Sequence, residues 1–165
     1  MDRVLVAGST GAGKTTMARR ISARFGMPHY EMDALHHGPG WVKRPEFEAD
    51  VAKFAAQDRW VAEDQYHRYL GDLLWTRADT VVWLDLPRSL VMARVVRRTI
   101  WRLVSRTELY NGNREEFRGL FEPDHPIWWA WSQFERKRMT VREYADRHPG
   151  VRLIRVTERS ASVVG

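Results

Sequence analysis

The sequence predicts an α/β domain built on a parallel β-sheet that helices cover on both faces. Short apolar runs typical of buried strands alternate with segments of helical periodicity, which is the order expected for a parallel sheet. A chain of 165 residues is long enough for one domain with its own core. Its hydrophobic share of 44% is that of an ordinary globular protein. We therefore expect one domain of three layers.

The predicted elements follow from apolar spacing and from glycine and proline residues. Gly26 and Pro28 end the first helix, Pro45 begins the second, and Pro149 follows the last. The segment between the second and third strands has room for one helix. The expected elements are strands at 4–7, 29–31, 60–62, 80–84 and 151–156, and helices at 14–25, after Pro45, at 89–106 and at 127–146.

Charge and composition limit the classes of partner and compartment. The net charge of +6 predicts attraction to anions, among them nucleotide phosphates, nucleic acid and acidic lipid. The absence of cysteine excludes disulfides and thiolate chemistry. No apolar run reaches the roughly 18 residues that a membrane span needs, and residues 1–7 are too short for a signal peptide. We expect a cytoplasmic protein.

The most specific motif is a glycine-rich turn after the first strand. Residues 8–15 match G-x-x-x-x-G-K-[ST] in full. Such a turn points backbone N–H groups at a phosphate, and the following helix adds its positive N-terminal end. Lys14 is expected to reach the β- and γ-phosphates, and the Thr15 hydroxyl to hold Mg²⁺. The sequence thus predicts ATP and Mg²⁺ as cofactors, held by Gly8, Ser9, Thr10, Gly11, Ala12, Gly13, Lys14, Thr15 and Thr16.

Beyond this motif, nearly the whole chain resembles the P-loop proteins of the nucleoside-monophosphate-kinase-like group. Within that group it is similar to bacterial topology modulation proteins and adenylate-kinase-like proteins. The resemblance rests on the P-loop, on residues 29–35, 39–41, 60–63 and 84–88, and on the arginine-bearing helix that follows. It implies a P-loop NTPase three-layer fold whose five-stranded parallel sheet has the order 2-3-1-4-5. It also implies one domain over 1–165, with an acceptor-binding segment at 33–59 and a lid at 107–126.

Carboxylates follow the second and third strands, at the sheet edge where α/β folds bind ligands. In the kinases that this chain resembles, an acidic residue at the position of Asp33 holds the acceptor hydroxyl or a magnesium-bound water. The alternative is a turn or N-cap aspartate. Related nucleotide kinases read Asp-Gly at the end of the third strand, where this chain has Glu63 and Asp64. Either carboxylate is a candidate for the Mg²⁺ site, and a solvated strand end is the alternative.

Arginines recur every four residues along the helix at 89–106, at Arg94, Arg98, Arg102 and Arg106. By resemblance to adenylate kinases, Arg94 would stack on the adenine and Arg98 would reach the phosphates; a solvated basic face is the alternative. A second phosphate clamp is a hypothesis for Arg136, Arg138 and Arg142.

Two other clusters favour structural interpretations. A hydrophobic seam against the preceding long helix is preferred for the aromatic group that contains Trp128, Trp129, Trp131 and Phe134. The pair His36 and His37 has no ligand partner at zinc spacing, which argues against a histidine metal site.

Together these features predict an ATP- and Mg²⁺-dependent phosphotransferase that acts on a small-molecule acceptor such as a nucleotide or nucleoside. Lys14, Asp33 and Arg98 are the predicted catalytic residues, and Trp41 is expected to wall the acceptor pocket. A nucleotide-sensing, nucleic-acid-binding regulator without kinase activity is the alternative. The positive charge favours it, whereas the lack of a helix-turn-helix or an RNA-binding aromatic pattern does not.

Overall fold

Five parallel strands form a sheet in the order β2-β3-β1-β4-β5, as predicted. A computed structural model describes residues 1–105 and 126–157. In chain order the elements are β1 (Arg3–Gly8), α1 (Lys14–Phe25), β2 (His29–Tyr30), α2 (Met32–His36), a 3₁₀ turn (Pro39–Trp41), α3 (Phe47–Ala55), β3 (Trp60–Glu63), α4 (His67–Leu70), α5 (Leu73–Arg77), β4 (Thr80–Leu84), α6 (Arg88–Ser105), α7 (Pro126–Arg147) and β5 (Arg152–Val156).

The sheet register brings the ends of its strands together. On β1, Val6 lies opposite Glu63 of β3, and Gly8 lies opposite Leu84 of β4. On the outer side of β4, Leu84 lies opposite Val156 of β5. Because all five strands run in the same direction, the loops that follow them meet at one edge, which is where open α/β sheets bind ligands.

Both faces of the central strand β1 are buried, which is why its sequence is a continuous apolar run from Val4 to Ala7. Val4 and Val6 pack in a cluster with residues of α1, α6 and α7, whereas Leu5 and Ala7 pack in a second cluster with α3, α5 and part of α7. The four side chains are fully buried. This alternation gives three layers, with the sheet between two helical layers.

The structure differs from the sequence prediction between β2 and β4. The prediction of a single helix between β2 and β3 is wrong, because α2 and a 3₁₀ turn precede α3. Two further short helices, α4 and α5, lie between β3 and β4 and were not predicted. Helices of four or five residues are too short to display a 3.6-residue period, so apolar spacing does not reveal them.

The two long helices begin and end within one residue of their predicted bounds. The predicted lid at 107–126 lies outside the described residues except for Pro126, and so does Arg106. Within the described part of the chain, no helix is long and apolar enough to span a bilayer.

The hydrophobic-seam interpretation is wrong for two of the α7 tryptophans. The exposed fractions of Trp128 and Trp131 are 55% and 52%, whereas Phe134 is buried. The Arg88 guanidinium lies 3.7 Å from the centroid of the Trp131 ring and donates a 2.7 Å hydrogen bond to the Trp131 carbonyl. Trp131 therefore meets a cation from α6 at the surface and does not enter the core.

Candidate active site at the carboxyl edge of the sheet

The loop between β1 and α1 has the backbone of a phosphate-binding turn. Gly11 and Gly13 adopt left-handed conformations, with φ of 86° and 97°, and a Cβ on Gly11 would lie 2.3 Å from Cγ2 of Val95. Glycine is therefore required at position 11 for both conformation and space. No side chain caps α1, so the N–H groups of its first turn face the loop without a side-chain acceptor. This arrangement suits an anion.

Lys14 is held within the loop that it follows. Its Nζ donates hydrogen bonds of 3.1 Å and 3.3 Å to the carbonyls of Gly8 and Ser9. Burial, with a smaller contribution from Lys137, lowers the pKa of Lys14 to about 8, although the negative charges of Asp33, Asp64 and Glu63 oppose this shift. Lys14 is therefore still mainly cationic at neutral pH, as a phosphate ligand requires.

The remaining predicted nucleotide-binding side chains differ in how exposed they are. Ser9 is buried, Thr15 is partly buried in the first turn of α1, and Thr16 is exposed. From α6, Arg94 donates a 3.1 Å hydrogen bond to the Ala12 carbonyl, which places its guanidinium against the loop. Arg98 lies one helical turn further along α6 and is half-buried.

Glu63, at the end of β3, is fully buried and joins three segments of the chain. Its Oε2 accepts a 3.0 Å hydrogen bond from the Met32 N–H, and its Oε1 lies 3.0 Å from Nε2 of His29. Burial alone would raise the pKa of Glu63, but the bonds from His29 and Met32 lower it below its usual value. Glu63 is thus an ionised carboxylate with both oxygens engaged.

Asp64, the next residue, makes its described side-chain contacts through one carboxylate oxygen only. Its Oδ1 accepts a 3.0 Å hydrogen bond from Nε1 of Trp75 and lies 3.0 Å from Nε2 of His67. Burial would raise the pKa of Asp64, but His67, the positive charge of Lys137 and the Trp75 bond lower it. Both contacts fall on Oδ1, so Asp64 is better suited than Glu63 to hold a magnesium-bound water through its second oxygen.

Asp33 lies in the first turn of α2 and is half-buried. Its Oδ1 accepts a 2.6 Å hydrogen bond from the Tyr66 hydroxyl, whose oxygen is also 3.1 Å from Nε2 of His37. Its charge is the largest of the three carboxylate influences that raise the pKa of Lys14. The charge of Asp33 therefore acts on the P-loop lysine, although the two residues lie in the first turns of different helices, α2 and α1.

Two residues near this site were missed from the sequence. Lys137 of α7 is close enough to influence the pKa values of both Lys14 and Asp64. Its sequence signal is the spacing to the buried residues Phe134 and Val141, three positions before and four after, which puts it on the inward face of the helix. Tyr66 carries no such signal, because it lies in a turn and reaches Asp33 only through the fold.

The clamp hypothesis for the α7 arginines is not supported by their contacts. Arg138 donates a 2.8 Å hydrogen bond from Nε to Asp85, and Arg155 of β5 also binds this carboxylate. Burial would raise the pKa of Asp85, but these two arginines lower it. Arg136 is exposed, and Arg142 lies 5.8 Å from the centroid of the Trp83 ring. Arg138 thus completes an ion cluster at the end of β4.

The donors at this edge fit a nucleoside triphosphate with Mg²⁺. The loop provides backbone N–H groups and a buried ammonium for phosphate oxygens. The oxygens of Thr15, in the first turn of α1, and of Asp64, after β3, are the hard ligands that Mg²⁺ and its waters prefer.

Solved structures with the same fold include two kinases. The chain is similar to a gluconokinase from Sinorhizobium meliloti 1021, with 20% identity, a TM-score of 0.53, and coverage of 94% of this chain and 82% of that one. It is also similar to a shikimate kinase from Acinetobacter baumannii, solved with shikimate, with 16% identity, a TM-score of 0.59, and coverage of 94% and 83%.

No protein-family model matches the chain, and no curated protein matches it in sequence. The similarity to topology modulation and adenylate-kinase-like proteins therefore stays a prediction. At identities of 20% and below, the structural matches establish the fold alone. The chain has the α/β fold of P-loop kinases, with a five-stranded parallel sheet in the order 2-3-1-4-5.

Proposed function

We propose that this protein is an ATP- and Mg²⁺-dependent phosphotransferase that acts on a hydroxyl group of a small molecule. The observation that carries the proposal is the combination, at the carboxyl edge of the sheet, of a P-loop whose lysine is bonded to the loop carbonyls and of Asp33 in the first turn of α2, directly after β2. A P-loop that only senses nucleotide has no need of a carboxylate from the acceptor segment beside its lysine. A phosphotransferase needs both, one for the γ-phosphate and one for the attacking hydroxyl.

In this proposal, Lys14 and the loop backbone hold the β- and γ-phosphates of ATP. Arg94 stacks on the adenine, in keeping with its position against Ala12, while Arg98 and Lys137 add positive charge near the phosphates. Positive charge at these positions stabilises the oxygens of the transferring phosphoryl group, which is the main catalytic contribution in this chemistry. In this proposal Lys137 binds phosphate from α7, the role that was predicted for Arg136, Arg138 and Arg142.

Thr15 and Asp64 are the residues that would hold Mg²⁺, Thr15 through its hydroxyl and Asp64 through a water. When bound, Mg²⁺ supplies neutralising charge to the β- and γ-phosphate oxygens. Glu63 instead fixes the start of α2 through the Met32 N–H, and so supports Asp33 one residue further along.

Asp33 binds and orients the acceptor hydroxyl. As the acceptor oxygen bonds to the γ-phosphorus and the bond to the leaving ADP oxygen breaks, Asp33 accepts the hydroxyl proton. A loose transition state develops little charge on the attacking oxygen early, so a carboxylate of ordinary basicity is adequate. Trp41, whose ring lies edge-on to His37 at 5.2 Å, borders this acceptor region in the segment 33–59.

The nucleic-acid-binding alternative has less support from the described contacts. Several basic side chains are paired within the protein, with Arg44 bound to Asp50, and Arg138 and Arg155 bound to Asp85. Others lie at the P-loop. If DNA nevertheless bound tightly, with an affinity that falls steeply as salt rises, the alternative would be favoured.

The test is a screen for ATP consumption with purified protein, Mg²⁺ and a panel of nucleosides, nucleoside monophosphates and small alcohols. We expect one class of hydroxyl compound to stimulate ADP formation well above the rate with water alone, and the Lys14→Ala variant to lose that stimulation. ATP binding without stimulation by any acceptor, together with salt-sensitive DNA binding, would overturn the proposal.

A further inference from the structure

A directed chain of hydrogen bonds leads to Asp33 from two adjacent histidines. His36 Nδ1 lies 3.4 Å from His37 Nδ1, His37 Nε2 lies 3.1 Å from the Tyr66 hydroxyl oxygen, and the hydroxyl lies 2.6 Å from Asp33 Oδ1. From the sequence, His36 and His37 are predicted only to form no metal site, and no role is predicted for Tyr66. The proposed function uses none of the three.

The direction of the chain follows from the valence of each group. A carboxylate only accepts, so the single Tyr66 proton goes to Asp33 and the hydroxyl oxygen accepts from Nε2–H of His37. In neutral His37, Nδ1 is then an acceptor, and His36 must donate to it from Nδ1–H. This leaves His36 Nε2 without a proton, and it is a buried atom with no hydrogen-bond partner among the described residues. A neutral ring is less costly to bury there than a cation.

The Tyr66 ring is fixed by stacking and by backbone strain. It stacks on His36 with centroids 4.0 Å apart and an interplanar angle of 11°, and meets Phe47 edge-on at 5.2 Å. Its backbone is left-handed, with φ of 62°. A bulky residue in this region costs about 1–2 kcal/mol, and such strain persists where the surroundings hold the residue in place.

We propose that Tyr66 is a positioning residue for phosphoryl transfer, which holds Asp33 through Oδ1 so that the second carboxylate oxygen meets the acceptor hydroxyl. The inference rests on the proposed function for its catalytic consequence, but the chain itself does not depend on it. His36 and His37 fix the direction of the Tyr66 hydroxyl proton, and the stacked rings fix its position.

The first experiment uses no acceptor. Nitrogen-15 NMR of the histidine rings at about pH 8.5, where ordinary imidazoles are neutral, reports which ring nitrogen carries the proton. We expect His37 to be protonated on Nε2 and His36 on Nδ1. In Tyr66→Phe, which keeps the ring and removes the hydroxyl, the His37 signals should shift toward a mixture of tautomers. Tyr69→Phe removes a hydroxyl from α4, the helix that follows Tyr66, keeps its ring, and should leave both histidines unchanged.

The second experiment uses the acceptor found in the screen. Tyr66→Phe should lower kcat about 10- to 100-fold, the size of effect that a misplaced reacting group produces, while ATP affinity stays at the wild-type value. In the Asp33→Asn background, the same change should lower kcat no further, because Tyr66 acts through Asp33. Tyr69→Phe should retain wild-type kcat.

The outcomes separate the two proposals. A His37 ring protonated on Nδ1, or one that does not respond to Tyr66→Phe, overturns the positioning role whatever the activity. A loss of kcat that multiplies with that of Asp33→Asn also overturns it, because a merely structural tyrosine would act independently. If no acceptor is found but the tautomers are as expected and respond to Tyr66→Phe, the chain stands and the proposed function alone fails.

Discussion

The proposed active site has two sides that are built in different ways. The donor side consists of the P-loop at 8–15 with Arg94, and its ligand groups are mainly backbone N–H groups ordered by glycines at positive φ. The acceptor side consists of residues 32–37 with Tyr66, and its groups are side chains tied by hydrogen bonds and ring stacking. A backbone site binds a group that never changes, such as a triphosphate, whereas a side-chain site is easily altered for another acceptor. The two sides should therefore respond differently to mutation.

The largest effect is expected on the donor side, from Lys14→Ala. Loss of the buried ammonium should reduce phosphoryl transfer about 10²- to 10³-fold, the range seen when one charge-stabilising group is removed from an active site. Steady-state assays measure this, with circular dichroism to check the fold. Lys53→Ala, which removes an exposed lysine on α3, is the control. Wild-type turnover in Lys14→Ala would remove the catalytic assignment.

On the acceptor side, Asp33→Asn should lower kcat about 10- to 100-fold with unchanged ATP affinity. The change preserves size but removes the proton acceptor. Because the proton moves late, we expect the contribution of this acceptor to kcat to be near or below the lower end of the usual range for general-base catalysis. Activity assays and calorimetric ATP titration separate the two quantities. If ATP affinity fell as much as kcat, the distinction between the two sides would be lost.

Arg94→Ala should mainly weaken ATP binding, by about 2- to 30-fold, which corresponds to the roughly 0.5–2 kcal/mol of a cation–π stack. The acceptor KM should remain unchanged. Arg97→Ala is a matched control, since Arg97 is exposed on the same helix beside Ile100 and Trp101. Equal ATP affinities for wild type, Arg94→Ala and Arg97→Ala would favour the solvated-face interpretation.

The pKa of about 8 for Lys14 predicts a pH dependence on the donor side. Lys14 is cationic below this value and loses its charge above it, and the cation is the form that binds phosphate. ATP affinity should therefore fall as pH rises above about 8, by up to about tenfold per pH unit. Titrations between about pH 7.5 and 9.5 measure it, and Lys14→Ala should lack the dependence. A pH-independent wild-type affinity would contradict the assignment.

The smallest catalytic effect is expected for Asp85, which lies at the same sheet edge but belongs to neither side. Asp85→Asn should lower the free energy of unfolding by about 1–3 kcal/mol, through weaker charged hydrogen bonds to Arg138 and Arg155. Turnover should stay near the wild-type value.

The pH dependence of this stability difference has a fixed sign. The folded-state pKa of Asp85 is lowered, so its contribution is present above the unfolded pKa of about 3.9 and is lost as pH falls through the folded value. The difference between wild type and Asp85→Asn should therefore shrink below about pH 4. Denaturant unfolding at several pH values measures it, and a difference that grows on acidification would contradict the ion cluster.

The sequence by itself determined the α/β fold class and the backbone of the P-loop. β1 and the P-loop are adjacent in the chain, and the steric and hydrogen-bonding requirements of a phosphate turn dictate glycine, lysine and threonine at fixed spacing. The strands β1, β3 and β4 are buried on both faces and mainly apolar, and all five predicted strands agree with the observed bounds to within one residue at each end.

Only the tertiary structure decided which side chains meet around Asp33 and which charged groups are paired within the protein. Tyr66 meets Asp33 across 33 residues of chain, and no local pattern encodes that approach. In the structure both contacts of Asp64 fall on one oxygen, whereas both oxygens of Glu63 are engaged, and Arg138, which follows Lys137, is bound to Asp85. Residue type shows that a group can carry charge, but burial and partners decide which charge faces the ligand, and both depend on how distant segments pack.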